Sequence, residues 1–302
     1  MEQMKNTIFS TNFKTKVLTF IMVEAVMFIT ASALVAIASK LLSLPERSQM
    51  MVMLAIQDIV LFIAAPLITA RLISTKPFKF LSLTKLPTLK QFVWVAVAMI
   101  VMTPALNLIV SWNESIHLPE FMLGVEEWMR ANENSAMEAT KKILSMNTFG
   151  ALIVTVLMVG VMTGIGEELT FRGVMQKLIT EKSSNYHIAI WVTAIIFSAI
   201  HFQFFGFFPR MLLGAFFGYL LVWSGSMWLP IFAHFLNNSM AVVAAYMLNI
   251  NLTTEELDKV GTIDNGTIWM ALISLALFAG CIYKIKEKSQ KSEINELEKS
   301  KK

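Results

Sequence analysis

The chain alternates long apolar runs with short polar interruptions. Eight runs are each close to the roughly 20 residues that a helix needs to cross a bilayer. Their approximate limits are 17–38, 50–70, 92–112, 150–180, 187–203, 207–223, 227–248 and 267–285. No strand-like alternation competes with them, so the pattern predicts an all-α, polytopic membrane helical bundle of about eight transmembrane helices. The first run is too long for a signal-peptide core, so no cleavable leader is expected. Three regions follow: membrane helices over 1–149, a polar-motif core over 150–250, and a last membrane helix with a charged tail over 251–302.

Composition agrees with the pattern. Of 302 residues, 56% are hydrophobic and 15% charged, against about 25% charged in a soluble domain. Mean hydropathy is +0.62. The formal charge of +4 needs no nucleic acid to explain it, because basic residues of membrane proteins crowd the cytoplasmic loops. On the even-numbered topology, 18 of the 25 basic residues fall on the side of the two termini. They include Lys5, Lys14 and Lys16, the set from Arg71 to Lys90, Lys177, Lys182 and the tail from Lys284 to Lys302. Both termini are therefore expected in the cytoplasm, and the Lys- and Met-rich composition hints at a bacterial membrane. The tail itself reads as a solvated, frayed end. The acidic segment 113–147 reads as an amphipathic surface helix without chemistry. Cys281, the one cysteine, excludes an internal disulfide and a cysteine-based zinc cluster and reads as packing.

Against this background the stretch GIGEELTFRGVMQ, residues 164–176, stands out. A charged group in hydrocarbon costs roughly 2.5–3.5 kcal/mol on insertion scales, so such residues are paired or functional. Glu168 and Arg172 are four apart with the acid first, the favourable order for a helical ion pair, and read as a brace. Glu167 lies about 100° around the helix and points elsewhere. His201 closes the run WVTAIIFSAIH, and His234 and Asn238 share one helical face in LPIFAHFLNNSM. The midpoint between Glu167 and His201 is Ser184, inside the polar turn EKSSNY. Two antiparallel arms of about 14 residues would bring Glu167 and His201 to one depth, roughly 20 Å from that turn. His234 does not follow by this symmetry; it sits only about 10 Å past its own turn, so the loop FQFFGFFPR would have to dip or the helices tilt. A straight helix over 150–180 would be about 45 Å long, so it must tilt, protrude or break, and Gly160, Gly164 and Gly166 are candidates for a break. GVMTG and GAFFG are small-residue patterns that permit close helix approach. Glu24 and Asp58 are further intramembrane acids; they could line the cavity or the substrate path, but a bond to backbone or a place near an interface is the favoured expectation. His117 and His187 are expected in a loop and at an interface.

EELTFR fits EExxxR, FSAIH from Phe197 to His201 fits FxxxH, and HFLNN from His234 to Asn238 fits HxxxN. In this order on successive membrane helices, the trio resembles the CAAX-protease and bacteriocin-processing (Abi) family of intramembrane proteases. The resemblance covers about residues 150–245. It implies an endopeptidase acting on a peptide or membrane-associated protein within the bilayer, with Glu167 activating water, His201 beside it, and His234 and Asn238 steadying the oxyanion. Glu168, Arg172 and Phe197 would support that site. For a metal, Glu167, His201 and His234 are the candidate ligands and zinc the candidate ion; a metal-free glutamate mechanism uses the same residues. HExxH and GxSxG are both absent from the sequence. Two other functions compete with hydrolysis: a non-enzymatic bacteriocin-immunity or regulatory scaffold that keeps the polar core, and a proton-coupled transporter, for which no inverted repeat speaks.

Overall fold

A computed structural model describes residues 12–253 and 259–300. Lys5, Lys301 and Lys302 of the basic set lie outside the described residues. Among those residues the chain is helical, without strands. Helices α1 (Phe13–Leu41) and α2 (Glu46–Ile73) are followed by α3 (Leu89–Val101) and α4 (Thr103–Glu114), a pair bent by 44°. Next come α5 (Leu123–Leu144), α6 (Phe149–Ser183) and the short α7 (Tyr186–Ala199). The chain ends with α8 (Phe207–Ser224), α9 (Trp228–Asn249) and α10 (Ile268–Ser300).

Six helices are long and apolar enough to cross a membrane, or seven with the bent pair as one span. The eighth expected span is α7. Its 14 residues rise about 21 Å, short of a core of about 30 Å. The bend in the third span falls at Pro104, which has no N–H to give and crowds the carbonyl one turn before it. Contrary to a frayed tail, α10 continues to Ser300.

Local chemistry sets the boundaries. Asn12, Thr148 and Asn185 accept backbone N–H groups at the starts of α1, α6 and α7, and Thr88 with Gln91 forms a reciprocal capping box at α3. Ser184 and Gly225 close α6 and α8 in the left-handed conformation. The turn between Glu167 and His201 therefore sits where the polar stretch places it.

Of the three ways to fit the overlong span, α6 does not take the break. Its 35 residues would span about 52 Å and run continuously, with two seven-residue π-helical stretches, Val156–Met162 and Leu169–Met175. These wide turns re-aim side chains and concentrate at functional sites. The glycines instead admit neighbours. A Cβ on Gly164 would stand 3.3 Å from the backbone nitrogen of Phe235 in α9, and one on Gly166 would stand 2.7 Å from the Cβ of Phe62 in α2. On α8, the carbonyls of Gly214 and Gly218 accept hydrogen bonds from Arg172 and Gln176 of α6, so GAFFG supplies two rungs between these helices. Gly166→Val is expected to destabilise the protein by about 1–3 kcal/mol through overpacking. Thermal unfolding in detergent, compared with the exposed control Gly150→Val, would show it.

The core lies between α3, α8, α9 and α10, around Val95, Met99, Phe217, Leu220, Leu229 and Ile285, with Cys281 packed among them. A second cluster joins α1, α2 and α6 through Phe20, Ile73, Leu169 and Val174. α1 turns most of its apolar surface outward, with Leu18, Ile29 and Leu41 exposed, as lipid-facing positions require.

The helix predicted over 113–147 exists as α5, but it is more than a surface element. Glu133 accepts the Phe205 N–H at 3.1 Å, and Arg130 lies over the Phe205 ring. Arg47 holds the Ile143 carbonyl, and Asn249 holds that of Leu144. Near the start of α5, Glu126 accepts the Leu118 N–H and two guanidinium N–H groups of Arg130, and meets His117. These donors hold its carboxyl at about 2, below the ordinary 4.5. A carboxyl so depressed stabilises the fold above about pH 4.5, and its contribution is lost as pH falls through about 2. Hydrogen exchange of residues 116–122 is therefore expected to separate wild type from Glu126→Gln at pH 6, with the difference vanishing near pH 2.

Candidate active site

The site is built on three helices. α6 contributes Glu167, Glu168 and Arg172, the C-terminal end of α7 contributes Phe197 and His201, and α9 contributes His234 and Asn238. Glu168 and Arg172 are both fully buried and paired at 2.7 Å. The second Nη of Arg172 donates to the Gly214 carbonyl at 2.9 Å, and its guanidinium stacks over Phe197 and Phe217. This charge is thus paired, hydrogen-bonded and enclosed by aromatic faces.

His234 links the two adjacent glutamates. Its Nδ1 donates to Glu168 Oε1 at 2.8 Å, the same oxygen that Arg172 holds, and its Nε2 lies 3.7 Å from Glu167 Oε2. The ring stacks on Phe217 and meets the edge of Phe197. The brace therefore includes His234 as well as Glu168 and Arg172. Although they diverge around the helix, neighbouring acids reach opposite nitrogens of one imidazole. The missing depth symmetry of His234 is made good by packing of α9 on the glycines of α6, with a backbone approach at Gly164 that no sequence spacing reports.

His201 Nδ1 faces the Phe197 carbonyl at 2.7 Å. That bond requires the proton on Nδ1 and leaves Nε2 as an acceptor. Asn238 donates one N–H to the Val159 carbonyl, in the first π-helical stretch, and its oxygen accepts from Asn237. One amide N–H of Asn238 is left over.

Glu167, His201, His234 and Asn238 all line one cavity of about 610 Å³. Phe197, Phe217, Leu213 and Val242 form apolar wall; Thr140, Ile143 and Leu144 of α5 close one side. The FQFFGFFPR loop does reach the site: Gly206, Pro209 and Arg210 line the cavity. Phe202 turns the chain there at positive φ.

Two contributors escaped sequence reasoning, α5 and Arg210. Of the two readings for Asp58, a bond to backbone or interface and a place at the cavity, the second is the nearer. Asp58 is 1% exposed and bonded at 2.6 Å to the hydroxyl of Thr163, a cavity residue one turn before Glu167. Glu24 keeps a buried oxygen that has no hydrogen-bond partner among the described residues. His117 contacts Glu126, and His187 contacts the Tyr219 hydroxyl.

Glu167, His201 and His234 do not form a metal-binding trio. Among the described residues, no three His, Cys, Asp or Glu side chains are close enough together to hold an ion.

Residues 149–240, which contain every one of these site residues, match the family model described as type II CAAX prenyl endopeptidase Rce1-like. This segment is similar to the Rce1-like domain. A curated relative, the uncharacterized protein YpbD of Bacillus subtilis (strain 168), is 26% identical over 118 residues. That alignment covers 38% of this chain and 56% of YpbD, so the chain matches about half the length of its relative. No solved structure matches the chain. The matched segment spans α6 to most of α9 and thus carries the acids, imidazoles and amide of the site, whereas α2, α4 and α5 complete the cavity from outside it.

Proposed function

We propose that the protein is an intramembrane endopeptidase that hydrolyses a peptide or membrane-associated protein with water activated by Glu167 and His201. The shared cavity carries this reading: one carboxylate, two oriented imidazoles and an amide N–H line one space together with apolar side chains. The endopeptidase family of the matched segment supports it.

In the proposed reaction the Glu167 carboxylate takes a proton from water while the His201 Nε2 accepts its other hydrogen in a hydrogen bond. The water oxygen bonds to the scissile carbonyl carbon, and charge develops on the carbonyl oxygen. The spare N–H of Asn238 is placed to receive that charge, as a preorganised donor does in acyl transfer, and His234 adds to it when both of its ring nitrogens carry protons. Glu167 then returns the proton to the amide nitrogen as the C–N bond breaks, releasing a new carboxylic acid group, which keeps the second hydrogen of the water, and a new amine. Glu168 and Arg172 hold the His234 ring in position. No step is assigned to a metal.

We place the protein in a bacterial cell membrane with both termini cytoplasmic. Lys16 pairs with Glu181 at 2.9 Å, and Lys177 reaches Ser82, so several basic segments gather at one end of the bundle. Comparative peptidomics tests the function: membranes of a deletion strain should accumulate a peptide or uncut protein that the wild-type gene removes and the Glu167→Gln gene does not. Identical peptidomes in all three strains would refute hydrolysis in favour of a non-enzymatic scaffold.

A further inference from the structure

Arg210 is a cation facing the catalytic cavity whose charge no side chain neutralises at contact distance. It sits in the first turn of α8 and lines the same cavity as Glu167, His201, His234 and Asn238. Among the described residues its guanidinium bonds only Gln203, through Nη2 to the side-chain oxygen at 2.7 Å and through Nη1 to the carbonyl at 3.4 Å. Both acceptors are neutral. No carboxylate lies within the 4.0 Å of an ion pair, although Glu133 and Glu167 act on it through space. A guanidinium has five N–H donors, and Gln203 takes two.

The other arginine of this site shows the contrast. Arg172 is ion-paired, bonded to a carbonyl and sandwiched between aromatic rings. Arg210 serves no such brace, and Gln203 with Gly206 holds its fork in place from one side. A Cβ on Gly206 would come within 3.1 Å of Arg210 Nη2, so the loop backbone lies directly against the guanidinium. A part-buried cation without a paired anion is costly, and a fixed fork with spare donors suits a carboxylate better than any other common peptide group.

We propose that Arg210 is a specificity-determining residue that binds a carboxylate of the peptide being cut, so that the cavity favours anionic peptides over their neutral counterparts. This rests on the peptidase reading of the same cavity. The carboxylate comes from an acidic side chain or from a free C-terminus near the cut; both present the same planar anion to the fork.

The experiment uses the full-length chain reconstituted in liposomes, with Glu167→Gln as the inactive control. A mixed peptide library read by mass spectrometry first identifies a peptide that is cut. Two matched pairs are then made on that peptide: Glu against Gln at each position flanking the cut, and free C-terminal carboxylate against C-terminal amide. Wild type should show a kcat/KM about ten- to a hundredfold higher for the anionic member of one pair, the range of a charge-assisted hydrogen bond. The pair that responds identifies the source of the carboxylate. In Arg210→Gln that ratio should fall to about one, and in Arg210→Lys it should keep its sign at reduced size. Should the Gln variant fail to accumulate, the wild-type ratios and the Lys variant decide. Wild-type ratios near one, or a ratio that survives Arg210→Gln, overturn the carboxylate subsite while leaving the peptidase intact. Wild type indistinguishable from Glu167→Gln on the whole library overturns the peptidase reading and the subsite with it.

Discussion

Glu167→Gln, purified and reconstituted beside the wild-type chain, is expected to lose peptide hydrolysis by about a thousandfold or more while accumulating and melting normally. The amide keeps the shape of the carboxylate, and its oxygen still lies near His234 Nε2. What it loses is the capacity to take a proton from water and return it to the leaving nitrogen. A positioned general base contributes typically 10²–10⁴-fold, and here one group serves both proton transfers. Single-turnover rates with excess enzyme isolate this chemical step from substrate entry through the bilayer. The normal melting follows from the environment: Glu167 faces the cavity, and among the described residues its ion pair is the 3.7 Å approach to His234. A variant that keeps rates within tenfold of wild type would remove Glu167 from the role of base. His201 would then be the group to test, since its Nε2 is the other acceptor left over.

The parts of this arrangement legible in the sequence are those governed by length and spacing. Apolar runs marked the spans, Ser184 marked the turn, and the i, i+4 step from Glu168 to Arg172 gave the ion pair. GVMTG and GAFFG were visible as close-approach patterns, yet which helices they admit was not. Gly164 faces α9, and Gly214 offers its carbonyl to Arg172 of α6. His234 was missed as the link between both glutamates because that contact crosses two helices packed through Gly164, and depth counted along one helix says nothing of it. The two π-helical stretches of α6 leave no composition signal, although an overlong span interrupted by glycines hinted at irregularity. α5 was misread as peripheral because charge patterning reports the exposed face of a helix; Thr140, Ile143 and Leu144, which meet the cavity, are few and scattered. Arg210 carried a usable signal: it is a charge between FFGFFP and an apolar helix, on the side opposite most other basic residues.

Breaking the buried pair by Arg172→Met is expected to cost about 3–5 kcal/mol, enough to prevent accumulation in a domain whose total stability is of order 5–15 kcal/mol. The cost comes less from the lost attraction than from what remains. Glu168 is wholly buried, and one of its oxygens already has no partner; without Arg172 its charge would rest on the His234 N–H alone. The double variant Glu168→Leu with Arg172→Met removes both charges into a pocket walled by Phe197 and Phe217, and apolar replacement of a whole buried pair is often neutral or stabilising. It should accumulate and melt close to wild type. It should nevertheless be inactive, because Glu168 Oε1 is the acceptor that orients the His234 ring. Accumulation measured by quantitative blotting and melting in detergent, set beside hydrolysis rates, separates the two contributions. A double variant that regains the fold and also the activity would reduce Glu168 and Arg172 to packing and detach His234 orientation from the reaction. A double variant that regains neither would mean that the hydrogen bond from Arg172 to Gly214, and not the charge pair, fastens α6 to α8. The close approach of these helices at Gly214 makes that bond the competing explanation, and Arg172→Lys isolates it, since an ammonium can satisfy Glu168 without reproducing the fork that spans both acceptors.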